Sequence, residues 1–322
     1  MLLTRCPANK KREGGQLLQV LQATAPASST PRPWKLWLSG GWVRDKHFGA
    51  ERLHDFDVVA YPSDVDEIAA SIEQAFKSLY PNAAPVKTRV LNASAVKARR
   101  QKIITMTIKH LDCRIDLVAL KSDALKSANS HGGVGEMTDE VTEIAELLRA
   151  DARRRDLTIN ALYYDPFDDC IIDPLGLGVE DLKNGWIRLI DGSQTLMDDP
   201  VRVIRISRFL SLYPNQLRLH PETWLVVQEH KSRLLGQLLH TVAEDRLRSE
   251  FCRLLDLPNR QRGLQFLVQN FLTLITERVI HLFDGASSKE WARRTVLEAV
   301  IRDQPSCLSS ADDPSLDHTH QQ

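Results

Sequence analysis

The 322-residue chain lacks most of the features that would place it in a specialised class. No apolar run approaches the roughly 20 residues a membrane helix needs, so no membrane partner is expected. The five cysteines (Cys6, Cys113, Cys170, Cys252, Cys307) are odd in number and never spaced as C-x-x-C. A disulfide framework and a cysteine zinc site are therefore not expected, and a reducing compartment fits better. The ten histidines show no metal-ligand spacing. There is no excess of charge: 42 Lys plus Arg balance 42 Asp plus Glu, so the sum does not point to nucleic acid. The 43% hydrophobic content is enough for a buried core, which rules out a disordered chain. At roughly 150 residues per domain, about two domains are expected.

Balance in the sum hides polarity along the chain. From Lys87 to Lys121 nine basic residues face two acids, Asp112 and Asp116. From Asp123 to Asp151 seven acids outweigh Lys126 and Arg149, and from Asp199 to Arg262 eleven bases outweigh seven acids. The bases of that last run are nearly all Arg, whose planar fork pairs with phosphates. Solvated helix faces give the same pattern, so the chemistry between the runs has to decide. Residues 1–33 are basic and poor in acid, which fits a targeting leader or a disordered terminus.

Three stretches carry chemistry. Trp34 to Leu38 reads as a short buried strand, and Gly40-Gly41 as a tight turn into a helix starting near Trp42. Backbone N–H groups at such a turn suit a phosphate, although a Gly-Gly turn alone is more often structural. Leu53 to Ala60 has strand character, which puts Asp55 and Asp57 on one face. Two carboxylates so close repel unless a cation joins them, and oxygen-only ligands suit Mg²⁺; the competing reading is an exposed acidic turn. Asp116 in the strand Cys113 to Leu120 is a third candidate ligand, or else the partner of Arg114 in an ion pair.

The second stretch, Asp151-Ala-Arg-Arg-Arg-Asp-Leu-Thr-Ile-Asn-Ala161, brackets three arginines with acids. Those arginines suit either a helix cap or a triphosphate clamp. In the third, Asp199 fits a helix N-cap and Pro200 a first turn. Arg202, Arg205 and Arg208 then line one flank of that helix, toward a groove or solvent.

Taken in order, these motifs resemble the class II tRNA nucleotidyltransferases, the CCA-adding enzymes related to bacterial-type poly(A) polymerases. Ser39-Gly-Gly-Trp-Val-Arg-Asp45 with Asp55-Phe-Asp57 resembles the family's G-G-x-V-R-D and D-x-D signature, in wording nearest to fungal and plant members. Arg154-Arg-Asp-Leu-Thr-Ile-Asn-Ala161 is similar to its R-R-D motif, and Asp173 to Leu182 with Gly185 to its hinge. Asp198-Asp-Pro-Val-Arg202 resembles the nucleotide-selecting E-D-x-x-R motif, with Asp198 one carbon short, and Ala243 to Glu250 the following neck helix.

The resemblance implies an α+β fold: a nucleotidyltransferase head with a mixed sheet over residues 34–185, then a helical, RNA-binding neck and body over 186–303. A disordered tail, 304–322, is expected last, and the helical part is expected to be shortened, since only about fifty residues follow Phe271. The implied reaction is Mg²⁺-dependent, template-free addition of C, C and A to a tRNA 3′ end from CTP and ATP. Asp55 and Asp57 would hold the metals, with Asp116 as a third ligand. Gly40, Gly41, Arg44, Arg154, Arg155, Asp156, Asn160, Asp199, Arg202 and Arg205 would bind the nucleotide. Lys97, Arg99, Arg100 and Lys102 would meet RNA phosphates. Addition of only A, only CC or a poly(A) tail would use the same residues, and an inactive RNA-binding relative is the alternative of another class. The expected compartment is mitochondrial, cytoplasmic or both.

Overall fold

The computed structural model describes residues 2–5, 15–24, 34–50, 54–62, 64–92, 102–120, 140–282 and 294–298. They fall into two compact units, Met1–Arg202 with Tyr213–His230, and Val203–Leu212 with Lys231–Gln322. Among the described residues no helix is long and apolar enough to cross a membrane.

The first unit is built on a mixed eight-stranded sheet. Its strands are β1 (Leu2–Arg5), β2 (Lys35–Ser39), β3 (Asp55–Tyr61), β4 (Lys87–Asn92), β5 (Lys102–Ile108), β6 (Cys113–Ala119), β7 (Tyr163–Asp165) and β8 (Cys170–Asp173). Their spatial order is β1-β8-β7-β2-β3-β6-β5-β4, with β3 and β6 the parallel pair. The strands expected at Trp34–Leu38, Leu53–Ala60 and Cys113–Leu120 are present within two residues at each end.

Period-two alternation sorts β3 into two faces. Phe56, Val58 and Ala60 are buried on one side. The other side carries Asp55, Asp57 and Val59, and there Val59 pairs across to Trp37. Helix α4 (Glu140–Arg153) covers Trp37 and Val59 with Ile144, Leu147 and Leu148, in a cluster that also holds Leu120, Tyr163 and Ile172. Fully burying side chains of this size is worth about 1.5–3 kcal/mol each, which fixes the sheet that presents the aspartates. Helix α2 (Gly41–His47) follows β2 directly. Helix α3 (Val65–Leu79) packs on β5 and β6 and buries Ile68, Ile72 and Phe76. Asp64 caps its start, accepting from the N–H groups of Asp66 and Glu67.

Residues 1–33, expected to be a targeting leader or a disordered terminus, are ordered in two places. Leu2–Arg5 pairs antiparallel with β8. Helix α1 (Gly15–Ala23) buries Leu17, Val20 and Leu21, and Gln22 Nε2 donates to the carbonyl of Pro166 at 2.5 Å. Those three apolar residues lie one helical turn or one residue apart, a stripe that a composition argument overlooks.

The expected boundary at 185/186 also moves. Strand β9 (Trp186–Ile187) pairs with β10 (Arg218–Leu219), and Leu157 bridges to Leu189, so residues 186–201 stay with the first unit. Short helices α5 (Gly178–Asn184) and α6 (Ser193–Asp198) lie in the same region. Asp173 orders the turn before α5, accepting from the N–H groups of Gly176 and Val179.

In the second unit every described element is helical. It takes Val203–Leu212 of helix α7 (Arg202–Leu212), then α9 (Lys231–His240), α10 (Glu244–Leu255) and α11 (Arg260–Leu274); α8 (Pro221–Glu229) belongs to the first unit. Gly263 lets α11 approach α7 closely, since a Cβ there would lie 2.2 Å from the carbonyl oxygen of Ser207. Arg278 ends α9 by donating to the carbonyls of Leu239 at 2.8 Å and Val242 at 2.5 Å. The expected tail at 304–322 lies outside the described residues.

Candidate active site

Gly40 turns the chain from β2 into α2 with φ +68°, a conformation that glycine adopts without strain. It also leaves necessary room. A Cβ at this position would sit 2.8 Å from Asp57 Oδ2 and 3.5 Å from Arg155 Nη1, so the turn, the carboxylate and the guanidinium converge on one spot. Ser39 pairs with Asp57 across the sheet, and its hydroxyl donates to the Asp57 carbonyl at 3.3 Å.

Asp57 lies beside Asp116 in the parallel β3–β6 register, and Asp55 beside Arg114. Arg114 spans the group: Nε is 3.3 Å from Asp55 Oδ1, and Nη2 is 3.2 Å from Asp116 Oδ2. The hydroxyl of Thr105 donates to Asp116 Oδ1 at 2.7 Å. Both readings of Asp116 from the sequence are thus met in part: it joins the aspartate face and it pairs with Arg114. Lost hydration pushes the Asp57 carboxyl above its ordinary range; Arg155 opposes that rise, Asp116 and Asp55 add to it, and Arg114 opposes it more weakly.

These oxygens are of the type a hard divalent cation takes, and they share one face. Even so, no group of three or more His, Cys, Asp or Glu among the described residues is arranged to hold an ion. Asp55 and Asp116 are instead drawn onto the guanidinium between them. The donor set therefore fits a hard cation in chemistry and in sharing one face, with Arg114 paired to two of its three carboxylates.

Behind this face lies a buried polar network. Asp151, 8% exposed, accepts from Arg155 at Nε and Nη2, from the Tyr163 hydroxyl at 2.6 Å, and from Arg154. Arg155 Nη1 also donates to the carbonyl of Asn160 at 3.2 Å, which fixes the end nearest Asp57. Burial raises the Tyr163 hydroxyl, so it stays protonated and donates. Arg44 is buried, and its guanidinium turns to Asp45 at 2.7 Å and to the Asn160 side chain. Asn160 Nδ2 in turn donates to Asp156 at 2.9 Å. On the other side, Tyr213 donates to Asp45 at 3.0 Å.

The expected nucleotide residues thus separate by place. Gly40 and Arg155 meet Asp57, whereas Arg44, Asp156 and Asn160 face inward. Gly41 lies against Arg44. Arg202 donates to the carbonyls of Thr195 at 3.0 Å and Arg154 at 2.7 Å, tying the Asp199–Arg202 turn to the arginine motif. Regular helix begins at Arg202 rather than next to Asp199, whose carboxylate accepts from the Val201 N–H at 3.3 Å.

In the second unit, Arg205 and Arg208 turn onto Glu250 at 3.4 and 3.1 Å, and Arg253 joins them at 3.0 Å. The expectation of an arginine flank facing a groove or solvent is corrected there, because a buried carboxylate 42 and 45 residues away gathers these side chains. Lys102 pairs with Asp66, while Lys97, Arg99 and Arg100 lie outside the described residues. Asp45 and Asp151 were read only as the ends of their motifs and given no role of their own, while Thr105 and Tyr213 carried no local signal.

A family model described as the poly A polymerase head domain matches residues 36–188. The head region is thus similar to that family. The match spans the Gly40 turn, all three aspartates and the Arg154-Arg155-Asp156 motif of the head domain. The chain is 26% identical over 277 residues to a mitochondrial CCA tRNA nucleotidyltransferase of Candida glabrata, covering 84% of this chain and 49% of that protein. It is 36% identical over 249 residues to a CC-adding tRNA nucleotidyltransferase of Synechocystis sp., covering 77% of this chain and 47% of the relative. In fold it resembles a Thermotoga maritima CCA-adding enzyme complexed with tRNA, with a TM-score of 0.60 at 18% identity over 86% of this chain and 57% of the other. The chain spans about half the length of these two sequence relatives.

Proposed function

We propose that the protein is a tRNA nucleotidyltransferase that adds CCA, or part of it, to tRNA 3′ ends from CTP and ATP without a nucleic-acid template. The observation that carries this reading is the convergence of Gly40, Asp57 and Arg155, with Asp116 in register beside Asp57. In this reading Arg155, always charged and held from behind by Asp151, binds the triphosphate. The Cβ-free Gly40 leaves the space through which the triphosphate approaches Asp57. Asp55, Asp57 and Asp116 would hold Mg²⁺, which supplies positive charge to activate the RNA hydroxyl and to stabilise the departing pyrophosphate. Asp199 and Arg202 select the base: a carboxylate acceptor beside a guanidinium donor suits the amino edges of C and A and rejects the carbonyls of U and G. Lys97, Arg99, Arg100 and Lys102 receive RNA phosphates. Two of the relatives named above add to tRNA, and the Candida glabrata protein is named as mitochondrial, which supports tRNA as substrate and mitochondria as the compartment.

The reading is tested by incubating the protein with tRNA lacking CCA and radiolabelled CTP, ATP or both, with and without Mg²⁺. Sequencing the products separates CCA addition from CC-only, A-only and poly(A) addition. A protein that binds tRNA but incorporates no label under any condition is an inactive RNA-binding relative, and the proposal fails.

A further inference from the structure

Asp55, Asp57 and Asp116 place three negative charges on one face of two neighbouring strands, and among the described residues the guanidinium of Arg114, from the same strand as Asp116, bridges two of them. The β3–β6 register makes this bridge possible. Adjacent strands lie about 4.8 Å apart, a gap that a planar fork spans with one nitrogen toward each carboxylate. Arg114 is not needed as core: its side chain is 50% exposed, as is 73% of Asp55, while Asp116 is 27% exposed. Pairs this open to water contribute only about 0–1 kcal/mol each, so the bridge is easily broken. Yet it holds Asp55 and Asp116 on the guanidinium, away from a common centre.

We infer that Arg114 is a displaceable internal counter-ion of the metal carboxylates, neutralising Asp55 and Asp116 until a divalent cation takes its place. The inference rests on the metal-binding role proposed for these aspartates. It accounts for two features together: three like charges tolerated on one face, and the absence of a closed ligand set among the described residues. With Arg114 in place, and Arg155 shared between Asp57 and Asp151, the three carboxylates are not fully neutralised and still attract a divalent ion. On entry of the ion the guanidinium swings out, and Asp55 and Asp116 turn toward Asp57.

The test is a Mn²⁺ titration of the full chain, followed by the electron paramagnetic resonance signal of free Mn²⁺, for wild type, Arg114→Gln and Arg114→Lys. Removing the competing charge should tighten Mn²⁺ binding roughly three- to tenfold in Arg114→Gln, the sum of two weak exposed pairs. Arg114→Lys keeps the charge and should stay within about twofold of wild type. Unchanged or weaker binding in Arg114→Gln, or equal tightening in Arg114→Lys, overturns the counter-ion role while leaving the metal site standing. If neither wild type nor Arg114→Gln binds Mn²⁺, the metal-binding role itself fails and the counter-ion role falls with it. Circular dichroism of the variants confirms that each is folded when titrated.

Discussion

Asp151 grips Arg155 at two points, its Oδ2 accepting from Nε at 3.2 Å and from Nη2 at 2.9 Å. The guanidinium's remaining Nη1 is thereby aimed at the space beside Gly40 and Asp57. Asp151→Asn keeps the shape but removes the charge that sets this aim. Its KM for CTP and ATP should rise roughly tenfold, about 1.4 kcal/mol, with kcat reduced less. Asp151→Ala also strands two partly buried guanidinium groups and the buried Tyr163 hydroxyl, and should lose about 2 kcal/mol of stability in a denaturant titration. Equal KM values in wild type and Asp151→Asn would contradict the positioning role.

Gly40→Ala sets a methyl group 2.8 Å from Asp57 Oδ2 at a φ of +68°. The left-handed backbone costs an alanine about 1–2 kcal/mol, so the melting temperature should fall by several degrees. Displacement of the carboxylate should cost activity roughly a hundredfold, more than the stability change explains. Steady-state kinetics well below the melting temperature check this.

Partial loss of hydration at this largely exposed ring, and then the charge of Lys183, lower the pKa of His47 from its ordinary value of 6.5. Folding thus disfavours the protonated ring. The contribution of neutral His47 to stability is complete above about pH 6.5 and is lost as pH falls through and below that value, because the unfolded chain takes up the proton first. Melting curves at pH 7.5 and pH 5.5 should show a smaller acid-induced drop for His47→Gln than for wild type. An equal or larger drop would contradict the assignment.

Asp199→Ala separates base selection from capping. Loss of the contact to the Val201 N–H should cost about 1 kcal/mol whichever role holds. Selection predicts more: UTP or GTP should begin to compete with CTP and ATP, while Mg²⁺ dependence stays as in wild type. A variant that is slower yet equally selective would reduce Asp199 to a turn residue.

What the sequence made legible was local. Asp55 and Asp57 declared themselves by period two within one strand, and the alternating run around Asp116 located its strand. Pairing of Asp57 with Asp116 depends on a parallel register between segments some sixty residues apart, which no local period encodes. Arg205 and Arg208 read as a wet helix flank because Glu250 lies on another helix, in a stretch that read only as the neck. The first thirty residues misled for a different reason: basic and small residues dominate their composition, while Leu17, Val20 and Leu21 alone make the buried stripe of α1. The 185/186 boundary failed because it followed the end of a motif, whereas the pairing of Trp186–Ile187 with Arg218–Leu219 carries the first unit further.

Nucleotidyl transfer is proposed to take place at the aspartate face beside Gly40. Its most direct test is radiolabelled CTP and ATP incorporation into tRNA lacking CCA, comparing wild type with Asp57→Ala and Asp55→Ala, with Mg²⁺ present or chelated. Mg²⁺-dependent labelling is expected from wild type, with a loss of several powers of ten in both variants. Both variants should still bind tRNA, and without Mg²⁺ they should melt no lower than wild type, since each relieves like-charge repulsion. Labelling by either variant within about tenfold of wild type would contradict this proposal.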